Sequence, residues 1–407
     1  MSEHQAKKGE YETWVEQFAR WYTPLVLVVA IVTVLAQWLV VGAGIAVAIY
    51  NGLALLVIAC PCALVISTPV SVVAALSTAA RGGILVKGGR ALEMMGKLQT
   101  IAFDKTGTLT SGVPAVVDLI AFGEHTRAEV LMRFGLVASG SEHPLSRSIL
   151  TYAKAEHTTI PSVENFRAIP GEGAHGDWNG KTYRIGSLQY QLNFHVLPPE
   201  AQETLERWRQ AGDSIVVLSS DSHLCGAMAL RDQVRSDAVE VIRQLRTRGL
   251  SSVVLLSGDH PQAAAAIAGE LGISEYQGGM LPQEKVERVS EYRKQGALVA
   301  MVGDGVNDAP ALAAADLGIA MGAGTDIALE TADIALIHND LKSLVWLIDH
   351  SRRMLSIIRQ NITLAVAIKI FFAILALFGT ATLWGAIAAD LGASLLVIFN
   401  GLRLLRK

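Results

Sequence analysis

The apolar run Ile101-Ala102-Phe103 ends on Asp104, which opens the polar sequence Asp-Lys-Thr-Gly-Thr-Leu-Thr at residues 104–110. A short apolar run that stops at turn-forming residues predicts a buried strand. A carboxylate at the carboxyl end of such a strand occupies the place where open α/β sheets hold their active sites. An aspartate there can attack a phosphoryl group and form an aspartyl-phosphate. The segment therefore predicts an α/β domain with a nucleophilic carboxylate.

Two further apolar runs, residues 252–256 and 298–302, also end in polar residues. The first precedes Ser257-Gly258-Asp259, and the second precedes a glycine-rich segment that includes Asp304 and Asn307. If the three strands are neighbours, their polar ends meet. Carboxylate oxygens there would suit Mg²⁺, and hydroxyl, amide and ammonium groups would hold phosphoryl oxygens.

Four stretches resemble the P-type ATPases in their sequence and their order along the chain. They are residues 104–110, 257–259, 282–285 and 303–310. Cys60-Pro61-Cys62 and the sequence Ser-Glu-His-Pro-Leu at 141–145 resemble the heavy-metal-transporting branch. The resemblance implies an α/β fold class. We expect membrane helices, a cytosolic haloacid-dehalogenase-like (Rossmannoid) phosphorylation domain and an α+β nucleotide-binding domain inserted into it.

The resemblance also implies ATP and Mg²⁺ as cofactors and a set of site residues. Thr106 stands where phosphatases that hydrolyse their own aspartyl-phosphate usually carry a second aspartate, so the intermediate is expected to persist. The implied catalytic residues are Asp104, Lys105, Thr106, Ser257, Gly258, Asp259, Lys285 and Asn307. The implied Mg²⁺ contacts are Asp104, the backbone of Thr106, Asp304 and, in the surrounding shell, Asp308.

Four apolar segments approach the ~20 residues that cross a bilayer. They are Pro24 to Val41, Ile45 to about Val72, Asn361 to Phe378 and Leu383 to Leu405. The alternative for each pair is one long buried hairpin in a soluble protein. Lys and Arg cluster within residues 81–97, 352–359 and 403–407, which predicts cytosolic termini and a cytosolic middle segment in the plasma (inner) membrane.

Composition agrees with a membrane protein, because 51% of residues are apolar and the mean hydropathy is +0.38. The net charge of −3 gives no sign of a nucleic-acid partner. The predicted division of the chain is a lead-in at 1–23, a helix pair at 24–75, a phosphorylation domain at 76–114 and 231–345, a nucleotide-binding domain at 115–230, and a second helix pair at 346–407.

Within residues 115–230, the Asn179-Gly180 pair predicts a tight hairpin turn. The glycine-rich loop at residues 171–176 would alone be weak evidence for a nucleotide site. A lone histidine such as His143 is more often structural than functional. The family usually has a glutamate where this chain has Ala138, five residues before His143, so nucleotide affinity is expected to be modest. The resemblance implies that the nucleotide is bordered by Glu142, His143, Gly171, Gly173 and Gly186.

Cys60 and Cys62 flank a proline inside an apolar segment, and this arrangement suits a soft or borderline cation. The three cysteines of the chain predict no disulfide framework. Asp390 and Lys369 are opposite charges in apolar segments and should face each other or a cavity. A carboxylate with two thiolates fits Zn²⁺, Cd²⁺ or Pb²⁺. The resemblance to the zinc, cadmium and lead branch implies Asp390 as a metal ligand and Lys369 as its counter-ion; the alternatives are two buried structural cysteines and a structural Lys–Asp pair.

No Thr-Gly-Glu sequence occurs in the chain. The resemblance therefore covers the C-terminal part of the family, without its actuator domain and first membrane helices, and a separate actuator-bearing fragment is an expected partner. Membrane lipid, ATP and divalent heavy-metal ions are the others. We expect ATP-driven export of Zn²⁺, Cd²⁺ and Pb²⁺. The alternatives are a non-transporting membrane protein that binds metal and nucleotide, and a membrane-anchored phosphatase, which Thr106 disfavours.

Overall fold

The computed structural model describes residues 9–169, 171–305, 308–322, 330–377 and 382–406. Its internal contacts divide the chain into two compact units. One unit combines Met1–Gln99 with Asp316–Lys407, and the other is Thr100–Ala315. The predicted domain boundaries remain predictions.

The first part of the chain is mainly helical. In chain order it contains α1 (Glu10–Leu39), α2 (Ile45–Ala59), α3 (Cys62–Arg81), β1 (Ile84–Val86) and α4 (Gly89–Gly96).

The unit Thr100–Ala315 alternates strands and helices. Its elements are β2 (Thr100–Asp104), β3 (Thr110–Ala121), α5 (Arg127–Ala138), α6 (Pro144–Ala155), β4 (Glu164–Ile169), β5 (Gly173–Trp178), β6 (Lys181–Ser187), α7 (Leu188–Leu192), α8 (Pro199–Gln210), β7 (Ser214–Ser219), β8 (Leu224–Val234), α9 (Ala238–Thr247), β9 (Ser252–Leu256), α10 (Pro261–Leu271), β10 (Glu275–Gln277), α11 (Pro282–Lys294), β11 (Val299–Gly303) and α12 (Ala309–Ala314).

The last part of the chain returns to the first unit. It comprises β12 (Leu317–Met321), β13 (Ile334–Leu336), α13 (Lys342–Leu377), α14 (Leu383–Leu402) and a 3₁₀ turn at Arg403–Leu405. Strands β12 and β13 are parallel, and β1 pairs antiparallel with β13.

Among the residues that the structure describes, four helical segments are long and apolar enough to cross a membrane: Tyr11–Leu39, Ile45–Arg81, Lys342–Leu375 and Leu383–Leu405. The first begins well before Pro24, because α1 starts at Glu10 and continues past Pro24 without a break. The second is interrupted at Cys60, which takes φ −58° and ψ 126°. A residue before proline is pushed out of the helical region, and Pro61 has no N–H to continue the helix, so the break follows directly from the sequence.

The strands β11, β2, β9 and β10 of Thr100–Ala315 form a parallel sheet in that order. Every residue of β2 is buried. Asp104 lies beside Leu256 of β9, and Phe103 lies beside Val302 of β11. The ends of β9 and β11, which precede Ser257 and Asp304, therefore lie at the same edge of the sheet as Asp104. The three apolar runs predicted this arrangement.

The second sheet of this unit has six antiparallel strands in the order β3-β8-β7-β6-β5-β4. Helices α5 and α6 pack on it through a core that includes Phe134 and Ile149, and α8 contributes Trp208 to a separate apolar cluster. The hairpin of β5 and β6 turns at Asn179 and Gly180, with φ of 53° and 74°. The hairpin predicted from the Asn-Gly pair is thus confirmed.

Candidate active site and metal centre

Asp104 lies at the end of β2 with 6% of its surface exposed. Lys285, in the first turns of α11, donates from Nζ to Asp104 Oδ1 at 2.5 Å and to Asp308 Oδ1 at 2.7 Å. Both partners of this lysine are nearly inaccessible, since Asp308 is 2% exposed. The lysine therefore joins two carboxylates from different segments at one buried point, where it can neutralise charge on an oxygen held beside Asp104.

Burial raises the pKa of Asp104 to about 7. The neighbouring charges of Asp308 and Asp304 also raise this pKa, whereas Lys285 lowers it. Burial alone would lower the pKa of Lys285, but the two carboxylates that it contacts outweigh burial and raise it. The ammonium therefore stays charged at neutral pH. Asp104 is held close to the boundary between its charged and neutral forms.

The turn after Asp104 is held by contacts with neighbouring segments. Lys105 forms a salt bridge with Asp259, which follows β9. Gly107 has φ +69°, and a side chain there would lie 3.3 Å from Asp304 Oδ2. Glycine is thus needed both for the left-handed backbone and for the close approach of Asp304. The Thr106 side chain is exposed in the same turn.

The remaining predicted catalytic residues follow β9 and β11. Ser257 is 1% exposed, and its Oγ accepts a hydrogen bond from the Asp259 amide at 3.1 Å. Gly258 lies between them. The residue Asn307, predicted to hold phosphoryl oxygens, lies outside the described residues.

Two residues that the sequence reasoning missed support this turn. Arg235 donates from Nε to Thr108 O at 2.8 Å and from Nη2 to Gly107 O at 3.1 Å. Asp232 accepts a hydrogen bond from Thr110 Oγ1. Both residues lie more than a hundred positions after the turn in sequence, and the pairing of β3 with β8 brings them next to it.

The acidic groups at this edge fit a hard cation. Asp104, Asp304 and Asp308 bring three carboxyl groups to the neighbourhood of the Lys285 ammonium. Asp308 contacts the same Lys285 ammonium as Asp104 does. Oxygen-rich sites of this kind suit Mg²⁺.

A cavity of about 360 Å³ opens on the six-stranded sheet. Four of the five residues predicted to border a nucleotide line it: His143, Gly171, Gly173 and Gly186. Glu142 is exposed and does not belong to the described cavity wall. Gly173 and Gly186 are cross-strand partners, and a side chain on Gly173 would lie 2.1 Å from Ile185 O. These glycines therefore also have a packing role, which the motif alone did not reveal.

The structure joins Cys60 and Cys62 in a disulfide, with their Cα atoms 5.5 Å apart. Two of the three cysteines, from which the sequence predicted no disulfide framework, are thus paired, and Cys225 is free. The break takes Cys60 out of helical geometry and leaves Cys62 at the first position of α3, with a separation between the two residues that a disulfide can span. A disulfide offers no thiolate to a metal, so the predicted ligand set exists only when this bond is reduced.

The helix break also creates a polar contact in the membrane region. Because α3 begins at Cys62, the carbonyl of Ile58 loses the amide that would otherwise bond it. Lys369 of α13 donates to this carbonyl at 3.1 Å and to Asp390 Oδ1 of α14 at 3.0 Å. The predicted pairing of Lys369 with Asp390 is confirmed. Residues Ala63, Ala365, Ala393 and Val397 form a buried cluster where α3, α13 and α14 pack.

A family model described as haloacid dehalogenase-like hydrolase matches residues 98–316, more than half of the chain. The chain belongs to the haloacid dehalogenase-like hydrolases. This confirms the predicted fold class, and the match includes the strand that carries Asp104.

Proteins similar to the chain over its whole length narrow the family further. A probable cadmium-transporting ATPase of Alkalihalophilus pseudofirmus is 42% identical over 412 residues, which cover 100% of this chain and 57% of the relative. A zinc/cadmium/lead-transporting P-type ATPase of Escherichia coli is 43% identical over 408 residues, which cover 100% of this chain and 54% of the relative. The resemblance to the heavy-metal-transporting P-type ATPases is confirmed.

A crystal structure of a zinc-transporting PIB-type ATPase in the E2.Pi state matches with a TM-score of 0.83 and 44% sequence identity. The match covers 96% of this chain and 63% of that protein. The chain thus spans just over half of the length of the relatives that it matches.

Proposed function

We propose that this chain is the catalytic and C-terminal membrane part of an ATP-driven exporter of Zn²⁺, Cd²⁺ and Pb²⁺. Asp104 would take the γ-phosphoryl group of ATP: its carboxylate oxygen forms the new P–O bond, the bond between the β- and γ-phosphates breaks, and ADP leaves. The relatives are named as transporters of cadmium, zinc and lead, which supports this cargo.

The observation that carries the proposal is the position of Lys285 between Asp104 and Asp308. An ammonium at hydrogen-bond distance from a buried nucleophilic carboxylate stabilises the charge that develops on the transferred phosphoryl group. In phosphoryl transfer, catalysis consists mainly of such positioning and charge stabilisation. Arg235 fixes the turn after Asp104 through the carbonyls of Gly107 and Thr108, and Ser257 lies at the neighbouring strand end.

Mg²⁺ would be held by Asp104, Asp304 and the Thr106 backbone, with Asp308 outside the direct contacts. When bound, it would neutralise phosphate charge that Lys285 alone cannot balance. The nucleotide would occupy the cavity lined by His143, Gly171 and Gly186. Its volume falls within the range of ordinary ligand pockets, about 300–1,000 Å³.

The transported ion would bind Cys60, Cys62 and Asp390, and Lys369 would neutralise Asp390 when no ion is present. Two thiolates and one carboxylate suit a borderline or soft divalent cation. We place the chain in the plasma (inner) membrane with both termini and the catalytic domains in the cytosol. An actuator-bearing fragment would be a further partner, and its addition should accelerate loss of the phosphoryl group. A non-transporting metal- and nucleotide-binding protein is the alternative, but transport is what the names of the relatives favour.

The test is transfer of label from [γ-³²P]ATP to the full chain in lipid, with Mg²⁺ and reductant, followed by an acid quench. We expect an acid-stable, hydroxylamine-sensitive label that Asp104→Asn abolishes. Asp118→Asn is the matched control, because Asp118 is a partly exposed aspartate of β3 outside the residues assigned to the site. Equal labelling of the Asp104→Asn chain would refute the assignment.

A further inference from the structure

Three side chains that commonly bind metals meet at one end of the six-stranded sheet, away from the residues assigned above. His125 lies between β3 and α5, His223 lies in the turn between β7 and β8, and Cys225 lies in β8. The Nε2 atoms of His125 and His223 are 2.7 Å apart, and Cys225 Sγ is 4.0 Å from His223 Nε2. One ligand atom from each residue lies within 4.8 Å of the other two.

We propose that His125, His223 and Cys225 bind one divalent cation of the zinc class, forming a second metal site outside the membrane helices. Zinc binds imidazole nitrogen at about 2.0–2.1 Å and thiolate sulfur at about 2.3 Å. In a tetrahedral site these lengths separate two nitrogens by about 3.3 Å, and a nitrogen and a sulfur by about 3.6 Å. The two separations from His223 Nε2 differ from these values by roughly half an ångström, and the third, between His125 and Cys225, is at most 4.8 Å, so side-chain movements must bring the ligands to their final positions.

The backbone and neighbouring hydroxyl groups already orient these ligands. Cys225 is fully buried in β8, and its carbonyl accepts a hydrogen bond from the Phe122 amide at 2.9 Å, which holds the loop of His125 against it. His223 Nδ1 is 2.8 Å from Ser222 Oγ, so its Nε2 is the nitrogen left facing the site. Contacts of this kind to the second imidazole nitrogen are typical of metal-binding histidines.

Arg133 competes with a cation at this site. Its Nη1 lies 3.1 Å from His125 Nδ1, and a guanidinium can only donate, so His125 carries its proton on Nε2 and points it at His223. A cation must displace that proton and faces the positive charge of Arg133. Glu124 and Glu129 lie near His125 and offset part of this charge. Arg133 also lies over the ring of Tyr183, with Cζ 5.4 Å from its centroid, so it keeps a partner when it leaves His125.

The experiment uses the full chain with Cys60→Ser and Cys62→Ser, purified under reducing conditions, so that Cys225 is its one remaining thiol. Titration with Co²⁺ in excess Mg²⁺, which fills the carboxylate site at Asp104, should give one bound ion per chain and thiolate-to-cobalt charge-transfer absorption, which Zn²⁺ abolishes by displacing Co²⁺. Adding Cys225→Ser should abolish that absorption. His125→Ala or His223→Ala should weaken binding by at least about tenfold, the effect of losing about 1.4 kcal/mol.

Two further variants separate metal binding from loss of fold. His157→Asn changes an exposed histidine with positive φ and should bind Co²⁺ like its parent. Arg133→Gln should bind Co²⁺ several-fold more tightly, because a competing cation is removed, and unfolding could not produce this gain. Absence of charge-transfer absorption in the parent, its survival in Cys225→Ser, or weaker binding by Arg133→Gln would each overturn the proposal.

Discussion

Lys369 and Asp390 form an ion pair between α13 and α14, with Nζ 3.0 Å from Oδ1. The same ammonium donates to the Ile58 carbonyl, which the helix break before Cys62 leaves without an amide. Charges inside membrane helices are costly and generally pair with each other or with backbone carbonyls. Here both forms of compensation meet at one lysine. The Cys-Pro-Cys break and the Lys–Asp pair are therefore parts of one polar region.

We expect the reduced chain to bind one Zn²⁺ ion through Cys60, Cys62 and Asp390. Measured in a Cys225→Ser background, which removes the second proposed site, metal analysis after gel filtration should give about one Zn²⁺ per chain. Affinity should rise with pH, because thiolate ligands must lose protons. Cys60→Ala, Cys62→Ala and Asp390→Ala should each weaken binding by at least about tenfold. An unchanged stoichiometry in all three variants would contradict this site.

Reduction of the Cys60–Cys62 disulfide should be required for that binding. A disulfide has no thiolate to donate, so Zn²⁺ binding in the Cys225→Ser background should be lost after oxidation and return with a phosphine reductant. Thiol titration of the unfolded wild-type chain should find one free thiol, that of Cys225, before reduction and three afterwards. Equal Zn²⁺ binding by the oxidised and reduced chains would exclude Cys60 and Cys62 as ligands.

The part of the active site that the sequence predicted consists of residues at strand ends. Asp104, Ser257 and Asp304 each follow an apolar run, and the parallel register brings those runs to one edge of the sheet. The support from Arg235 could not be predicted, because its contact with Gly107 depends on the pairing of β3 with β8 across a large insertion.

The membrane region shows the same contrast. The apolar segments and the break at Pro61 follow from local backbone and hydropathy rules. The disulfide depends on how far Cys60 and Cys62 turn after the break, which no sequence rule specified. The cluster of His125, His223 and Cys225 was also not predicted, since His125 lies 98 positions before His223 and the sequence does not indicate that the two meet.

Replacing Asp304 should impair Mg²⁺ binding more than folding. Asp304 adds to the negative charge around Asp104, so Asp304→Asn should be as stable as the wild type, or more stable, without Mg²⁺. Thermal unfolding should show a Mg²⁺-dependent increase in Tm for the wild type and for the surface control Asp118→Asn, but little increase for Asp304→Asn. A fall in Tm under both conditions would instead indicate a structural role.

Mg²⁺ affinity should depend on pH through Asp104. Its pKa is raised to about 7, so below that pH Mg²⁺ must displace a proton and its affinity should fall, by up to about tenfold per pH unit. Above pH 7 Asp104 adds no further dependence, and Lys285 stays charged throughout because its pKa is raised. Calorimetric titration with Mg²⁺ on both sides of pH 7 measures this change in affinity. This pH dependence should be absent in Asp104→Asn. If it persists in that variant, it arises from another group.

Placing a carboxylate at Thr106 should shorten the lifetime of the phosphorylated chain. Thr106 is exposed two residues after Asp104, so Thr106→Asp can reach water at the acyl-phosphate with little cost to stability. A positioned acid/base group accelerates such a step by about 10²–10⁴-fold. Decay of the label after a chase with unlabelled ATP measures the effect, and Thr106→Asn is the control of equal size without the charge. If both variants lose label at the wild-type rate, the persistence of the phosphoenzyme does not depend on the missing carboxylate.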